Sequence, residues 1–249
     1  MRNRVLLTFL LIIISSICLQ GQEKYDLKVS YQMLLNFGSL QENEGVLLCN
    51  KNQAFFKFKN VDRRKKEKIS VNAQGNLSTR IIADTENYIF SENNGYIGEL
   101  RRDFKEKSFC IVEEVLKPIN WKITRETKKI DEYICFKALA RFRGRNYTAW
   151  FTPQVPVLFG PYKFHGLKGL ILEIADDTKE VMFRAEKIEY VQLPIQKKDK
   201  KIKRVSKEFY KNDMYSFFDD LQRKLTSRGD RNIKIEVKTE IKTIEIEEN

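Results

Sequence analysis

Apolar and polar residues alternate strictly near the beginning of the chain. Every odd position from 25 to 37 is apolar or aromatic, and the even positions between them are polar except for Leu34. A period of two residues is typical of a β-strand that buries one face. The pattern predicts one long antiparallel strand over residues 25–37, followed by a turn at residues 38–45.

Shorter runs of the same kind continue along most of the chain. Strands are predicted over residues 46–50, 54–59, 69–71, 79–83, 88–90, 109–115, 121–124, 136–142, 146–152, 170–175, 180–191 and 233–237. Asn93-Asn94-Gly95-Tyr96 and Arg143-Gly144 are predicted to be tight turns between strands.

Helical spacing of apolar residues is convincing in one place, over about residues 206–226, with Ser206 as its N-cap. It follows a basic linker at residues 197–204. The patterns together predict a mainly β fold, an antiparallel meander that forms a curved sheet or half-barrel, with one C-terminal amphipathic helix.

The first 21 residues differ in character from the rest. Arg2 and Arg4 precede an apolar run over residues 5–17, which is shorter than the roughly 20 residues of a membrane span. This is the pattern of a signal peptide cut after Gly21. We expect residues 22–249 to form one exported domain in the periplasm, at the outer membrane periphery or outside the cell. An uncleaved anchor and lipidation of Cys18 are the alternatives.

Basic residues outnumber acidic ones, with 46 Lys and Arg against 34 Asp and Glu. Many lie in the loop at residues 61–68 and in the linker at residues 197–204. Export argues against nucleic acid as a partner, and no nucleic-acid motif is present. The basic segments are expected to form a solvated surface, with contact to anionic membrane lipids as the alternative.

Three cysteines remain once the signal peptide is removed, namely Cys49, Cys110 and Cys135. Cys110 and Cys135 lie on strands predicted to be adjacent, which favours a disulfide between them. The alternative is three buried unpaired thiols. The chain has no CxxC spacing, which argues against redox catalysis and thiolate metal sites. Its single histidine excludes sites that need two or more histidines.

Residues 117–177 carry a series of short motifs. They are Trp121-Lys122-Ile123, Cys135 within a strand, Phe142-Arg143-Gly144-Arg145, Trp150-Phe151-Thr152-Pro153, Gly160-Pro161-Tyr162-Lys163-Phe164 and Gly166-Leu167-Lys168-Gly169-Leu170-Ile171. The series resembles the GLPGLI family of exported proteins from Gram-negative bacteria. The resemblance implies the fold and the exported location, but no reaction, because the family has no established activity. Lys168 replaces the family's proline, which makes this turn less pre-organised.

Arginine and aromatic residues within these motifs are the candidates for ligand binding. Arg141, Arg143 and Arg145 offer guanidinium groups to a carboxylate or phosphate, while Trp150 and Phe151 offer rings for stacking. The alternative is that the arginines pair with neighbouring acids. Phe164 and His165, inside the motif segment, complete the candidate set.

The candidates for acid–base catalysis are weaker than those for ligand binding. His165 would need an oriented partner and a nucleophile to be catalytic, and the alternative is a turn histidine bonded to a backbone carbonyl. Glu113-Glu114 and Asp176-Asp177 are adjacent pairs, and neighbours on a strand point to opposite faces.

The sequence therefore predicts a non-enzymatic binding module, with no catalytic residue, cofactor or metal. Its partner is expected to be another envelope protein or an apolar or anionic small ligand. Two alternatives are an unrecognised enzyme centred on His165 and a structural surface component that acts through its sheet edges.

Overall fold

The computed structural model describes residues 23–38, 40–60, 70–71, 77–78, 87–103, 108–115, 117–195, 201–228 and 244–245. The predicted signal peptide, the basic loop, the strands predicted at residues 79–83 and 233–237, and residues 197–200 of the linker lie outside these residues.

Twelve of fourteen described strands form one sheet. The elements are β1 (Lys24–Asn36), β2 (Leu40–Cys49), β3 (Gln53–Asn60), β4 (Ser70–Val71), β5 (Leu77–Ser78), β6 (Asn87–Glu92), β7 (Tyr96–Asp103), β8 (Ser108–Val115), β9 (Lys122–Ile130), β10 (Tyr133–Phe142), β11 (Arg145–Thr152), β12 (Leu170–Asp176), β13 (Val181–Pro194), β14 (Lys203–Ser206) and α1 (Lys207–Arg228). The order across the sheet is β14-β8-β7-β6-β3-β2-β1-β13-β12-β11-β10-β9, and β4 and β5 pair separately.

The large sheet consists of two antiparallel meanders joined side by side. The first runs outward from β1 to β8, and the second runs from the far edge at β9 back to β13, which pairs with β1. Within the described sheet only β14 pairs in parallel, with β8. The prediction of a mainly β, mostly antiparallel fold with one C-terminal helix is confirmed.

A short connection shows that this sheet is strongly curved. Residues 116–121 join β8 to β9, which lie ten strand positions apart. Ten spacings span about 48 Å in a flat sheet, whereas the seven Cα–Cα steps from Val115 to Lys122 reach about 25 Å when fully extended. The two ends of the sheet must therefore approach each other.

The alternation in the first strand is reproduced by its burial. The odd positions from Tyr25 to Leu35 are buried, as predicted. The turn predicted at residues 38–45 is wrong in extent, because β2 already begins at Leu40 and pairs with Asn36. Gly38, at φ +90°, makes this tight reversal, and the polar residues that follow it belong to β2.

The main core is formed by inward-facing residues of both meanders. Phe183 of β13 contacts the rings of Phe56 on β3 and Phe164 in the connection between β11 and β12. The Tyr31 hydroxyl donates to the carbonyl of Ile171 at 2.7 Å. The connection between β11 and β12 is thus part of the core.

The helix begins as predicted and packs only partly. The hydroxyl of Ser206 accepts a hydrogen bond from the Phe209 amide at 3.1 Å, which is the expected N-cap. Phe209 and Tyr215 remain 51% and 45% exposed, so the apolar stripe is incompletely covered. Among the described helices, none is long and apolar enough to cross a membrane.

Residues 203–204 of the predicted linker belong to β14. Arg204 donates to Glu113 at 2.6 Å and to the Tyr96 hydroxyl at 2.9 Å. These contacts from the side chain reinforce the parallel pairing with β8.

The predicted disulfide between Cys110 and Cys135 is wrong, and the alternative is found instead: the described cysteines Cys49, Cys110 and Cys135 are buried and form no disulfide. Eight strands lie between β8 and β10 along the sheet, so these strands are not neighbours. Burial raises the pKa of the Cys49 thiol to about 12 and that of the Cys135 thiol to about 11. Both thiols are therefore poor nucleophiles.

Candidate functional site

The connection between β11 and β12, residues 153–169, is an ordered loop with its own hydrogen bonds. The Gly160 amide donates to the Phe164 carbonyl at 2.8 Å, and the Gly166 amide donates to the Leu158 carbonyl at 2.8 Å. Gly166 has φ +90°, and Leu170 then opens the apolar strand β12. The loop packs inside the curve of the sheet and carries Lys163 there.

Lys163 is only 3% exposed, and three carboxylates surround it. Its ammonium nitrogen lies 2.8 Å from Glu99 Oε2, 2.5 Å from Glu114 Oε1 and 2.6 Å from Glu245 Oε1. We call these four residues the lysine–carboxylate cluster. Glu99 and Glu114 come from β7 and β8 at one end of the sheet, whereas Lys163 comes from the loop of the other meander. The cluster therefore fastens the two ends of the curved sheet together.

Three further cations border the cluster. Arg143, in the turn between β10 and β11, lies 2.7 Å from Glu114 and 3.3 Å from Glu245. Lys207, the first residue of α1, lies 2.8 Å from Glu245, and Arg101 lies 2.8 Å from Glu99. Positive and negative charges are thus nearly balanced in a site from which water is largely removed.

The pKa values reflect this balance. Burial by itself would lower the pKa of Lys163, but the carboxylates of Glu99, Glu245 and Glu114 outweigh it and raise that pKa. Burial would raise the pKa of Glu245, but Lys163, Arg143 and Lys207 bring it well below its usual range. The pKa of Glu114 is lowered as well, mainly by Lys163 against the effect of burial. All three groups are therefore charged at neutral pH.

Oxygens of Glu99, Glu114 and Glu245 lie within 4.8 Å of one another, which is close enough to ligate a metal ion. The ammonium group of Lys163 lies within hydrogen-bond distance of each. The cation that these carboxylates bind is thus a side chain of the protein.

We expect acid to destabilise this fold through the cluster. A carboxyl group whose folded pKa is lowered contributes stability above its unfolded pKa, and this contribution is lost as the pH falls through the folded value. The urea midpoint should therefore fall steadily as the pH decreases below about 4.5. Glu245→Gln should flatten this dependence, because the strongly shifted group is removed.

Glu186→Gln is the matched control, since Glu186 is exposed on β13. Urea midpoints between pH 7 and pH 3 should fall as steeply in this variant as in the wild type. A wild-type midpoint independent of pH below 4.5, or an undiminished slope in Glu245→Gln, would contradict the expectation.

The three candidate arginines do not form one site. Arg143 joins the lysine–carboxylate cluster, and Arg141 is exposed beside it. Arg145 is buried elsewhere, with Nη1 2.7 Å from Asp176 Oδ2 and 2.8 Å from Glu180 Oε2. Pairing with acids, the alternative to ligand binding, is thus observed for Arg143 and Arg145.

The candidate aromatic residues lie mainly in the core. Phe151 and Phe164 are buried, and the Phe164 ring contacts Tyr147 with centroids 4.8 Å apart. Trp150 is half-buried, with the Lys128 ammonium 4.5 Å from its ring centroid. These rings pack against other side chains of the protein, and they do not form one exposed surface to which a ligand could bind.

His165 is half-buried, and backbone groups account for its contacts. Its Nδ1 donates to the Lys163 carbonyl at 3.0 Å, and its own carbonyl accepts from Trp121 Nε1 at 2.8 Å. This is the arrangement expected of a turn histidine. Through Trp121 it fixes the loop to the connection between β8 and β9.

The two adjacent carboxylate pairs behave as the strand geometry predicts. Glu113 contacts Tyr96 and Arg204, whereas Glu114 contacts Lys163 on the other face. In the second pair, Asp176 is buried against Arg145, while Asp177 is exposed. The members of each pair therefore act separately.

Two clefts border the connection between β8 and β9. The larger, here called the mouth cleft, has a volume of about 940 Å³ and includes Lys117, Arg141, Arg143 and Lys207 in its lining. The smaller, here called the motif cleft, has a volume of about 410 Å³. Its lining includes Ile97, Leu158, Phe159, Lys163 and His165. Pro118 and Ile119 contribute to both.

The lysine–carboxylate cluster is not predicted by the sequence patterns described above. One local signal was present, because Lys163 is the only charged residue between Val155 and Phe164. A lone charge in an apolar segment indicates a buried, paired group. Its partners Glu99 and Glu245 carry no comparable signal.

Comparison with protein families gives a match to part of this site. Residues 141–173 match the model of a family described as "Protein of unknown function (Porph_ging)". The matched segment contains Arg143, Lys163 and the GLKGLI motif, and it lies within the residues that resemble the GLPGLI family. A search of curated proteins finds no match.

Two solved structures are similar in fold, those of PNGF-II in a C2 and in a P21 space group. Their TM-scores are 0.53 and 0.51, with 15% sequence identity in each case. The similarity covers 78% of this chain and 33% and 34% of the two PNGF-II chains, so this chain spans about a third of the length of PNGF-II. At this identity the similarity concerns the fold alone.

Proposed function

We propose that this chain is an exported, non-enzymatic binding module of the GLPGLI family, and that the mouth cleft binds an anionic ligand with an apolar part. The observation that carries the proposal is the concentration of four basic side chains around one cleft of about 940 Å³. Lys117 and Arg141 are exposed there, whereas Arg143 and Lys207 are also bonded to carboxylates of the lysine–carboxylate cluster. That volume lies in the range typical of small-molecule sites.

The charges around the mouth cleft favour an anion over a cation. Its lining contains three carboxylates. Glu113 is bonded to Arg204, Glu114 is bonded to Lys163 and Arg143, and Glu208 is exposed on α1, so four basic groups face one acidic group without a described basic partner. Lys117 and Arg141 are exposed at the cleft. Guanidinium and ammonium groups in such a position bind carboxylate, sulfate or phosphate groups.

The apolar wall of the cleft supports a ligand with an apolar part. Pro118 and Ile119 line both clefts, and Ile97, Leu158 and Phe159 extend the apolar surface in the motif cleft. An acidic group bound at the mouth would place an attached apolar chain against this wall.

Export rests on the predicted signal peptide, and contact with anionic lipids through the basic segments remains part of the proposal. An envelope protein is the alternative partner. The enzyme alternative centred on His165 gains no support, because the described contacts of its ring are to a backbone carbonyl.

Binding of dansyl-labelled undecanoate, a carboxylate with an apolar chain, tests the proposal directly. We expect saturable binding to the wild type, and at least a tenfold weaker affinity in the double variant Lys117→Glu with Arg141→Glu. Arg125→Glu with Lys129→Glu is the control, since it makes the same charge change at exposed positions of β9.

An equal loss in both double variants would show that only the net charge matters. That result, or the absence of saturable binding to the wild type, would overturn the proposal. If the wild type binds and the two double variants differ as expected, mass spectrometry of small molecules that co-purify with the protein from the native envelope identifies the natural ligand.

A further inference from the structure

The carboxylate of Glu245 lies in a pocket built by residues far away in the sequence. Its Oε1 accepts from Lys163 Nζ at 2.6 Å and from the Tyr162 hydroxyl at 2.9 Å. Its Oε2 lies 2.8 Å from Lys207 Nζ and 3.3 Å from Arg143 Nη1. Four donors from a loop, a turn and a helix thus converge on one carboxylate.

Ile244, the residue before Glu245, is also held by contacts with the rest of the protein. Ile244 is 8% exposed and belongs to the main core, and its carbonyl accepts from the Tyr147 hydroxyl at 3.4 Å. The pair Ile244-Glu245 is therefore bound through one apolar side chain, one backbone carbonyl and one carboxylate. Such a combination is specific for an apolar residue followed by glutamate.

The cations of the pocket have carboxylate partners besides Glu245. Lys163 is also bonded to Glu99 and Glu114, and Arg143 is also bonded to Glu114. Without Glu245, four cations (Lys163, Arg143, Lys207 and Arg101) face two carboxylates. The vacated pocket would carry excess positive charge in a largely buried position, which favours the entry of another carboxylate.

We propose that this pocket is a receptor for an apolar–glutamate pair in an acidic peptide, and that Ile244-Glu245 fills it in cis. A peptide carrying the same pair would enter the pocket in trans once the cis pair is absent. This inference goes beyond the ligand site of the mouth cleft. The pocket shares Arg143 and Lys207 with that cleft, but it requires no ligand there, and the two proposals are tested with different probes and different variants.

The test measures binding of a fluorescein-labelled peptide with the sequence of residues 237–246, which contains Ile244-Glu245 as its single apolar–glutamate pair, by fluorescence anisotropy. A variant that ends at residue 243 should bind the peptide, and the complete chain should bind it at least tenfold more weakly, because its own pair competes. A Glu245→Gln peptide should bind the shortened variant at least tenfold more weakly than the wild-type peptide. A Glu240→Gln peptide is the matched control and should keep its affinity, because Glu240 follows a threonine and is not part of an apolar–glutamate pair.

Far-ultraviolet circular dichroism and cooperative unfolding in urea establish whether the shortened variant is folded. If it is folded and does not bind, or if the two substituted peptides bind equally, the proposal is wrong. If it does not fold, the complete chain with both Glu245→Gln and Glu247→Gln takes its place, because Ile246-Glu247 would otherwise offer a second pair in cis. That variant should bind the peptide more tightly than the wild type, and equal affinities would overturn the proposal.

Discussion

Replacing Lys163 with methionine is expected to destabilise the fold by about 3–5 kcal/mol, the cost of removing one partner from a buried ion pair. Methionine fills a similar volume but leaves Glu99, Glu114 and Glu245 without their shared cation. Thermal and urea unfolding measure the loss, which corresponds to a decrease in Tm of roughly 10 °C for a domain of this size.

Lys168→Met is the matched control, because Lys168 lies in the same loop and is exposed. Its free energy of unfolding should stay within about 0.5 kcal/mol of the wild-type value. Combining Lys163→Met with Glu114→Gln should recover part of the stability, since one uncompensated carboxylate is removed. Equal stability of the Lys163→Met and Lys168→Met variants would show that the cluster does not stabilise the fold.

The elements with a local signal were predictable from the sequence. The alternation from Tyr25 to Phe37 predicts a strand with one buried face, and β1 has nearly the same bounds and the same alternation of buried residues. The Arg143-Gly144 turn was predictable because a tight reversal needs residues with positive φ, and the two residues have φ values of +52° and +76°. Ser206 caps the helix for an equally local reason.

The features that the sequence did not predict depend on which strands pair in the sheet. Pairing of β1 with β13 joins residues more than 140 positions apart, and no local pattern specifies it. The wrong disulfide between Cys110 and Cys135 has the same origin, because strands that lie near each other in the sequence need not be neighbours in the sheet. The lysine–carboxylate cluster likewise exists only because the sheet curves and brings its ends together.

Gly169, within the motif of residues 166–171, lies so close to the backbone of β11 that there is no room for a Cβ atom. A Cβ atom at Gly169 would lie 2.3 Å from the carbonyl oxygen of Thr152, 2.6 Å from its carbonyl carbon and 2.9 Å from Cα of Pro153. These are backbone atoms at the end of β11, where Thr152 pairs with Leu170. Backbone atoms cannot rotate away as a side chain would. A residue with a Cβ atom at position 169 would therefore force β11 and the loop apart.

Gly169→Ala is therefore expected to cost about 3 kcal/mol, the upper end of the range for overpacking, measured by urea unfolding. Gly166→Ala, three residues earlier in the motif, is the control that separates close approach from backbone conformation. Gly166 has φ +90°, and its Cβ would meet nothing closer than Trp121 at 3.9 Å, so strain of about 1 kcal/mol is expected there. If both alanine variants lost the same stability, contact with Thr152 would not be the reason for glycine at position 169. A larger loss at Gly169 would show that the loop carrying Lys163 is positioned by direct backbone contact with β11.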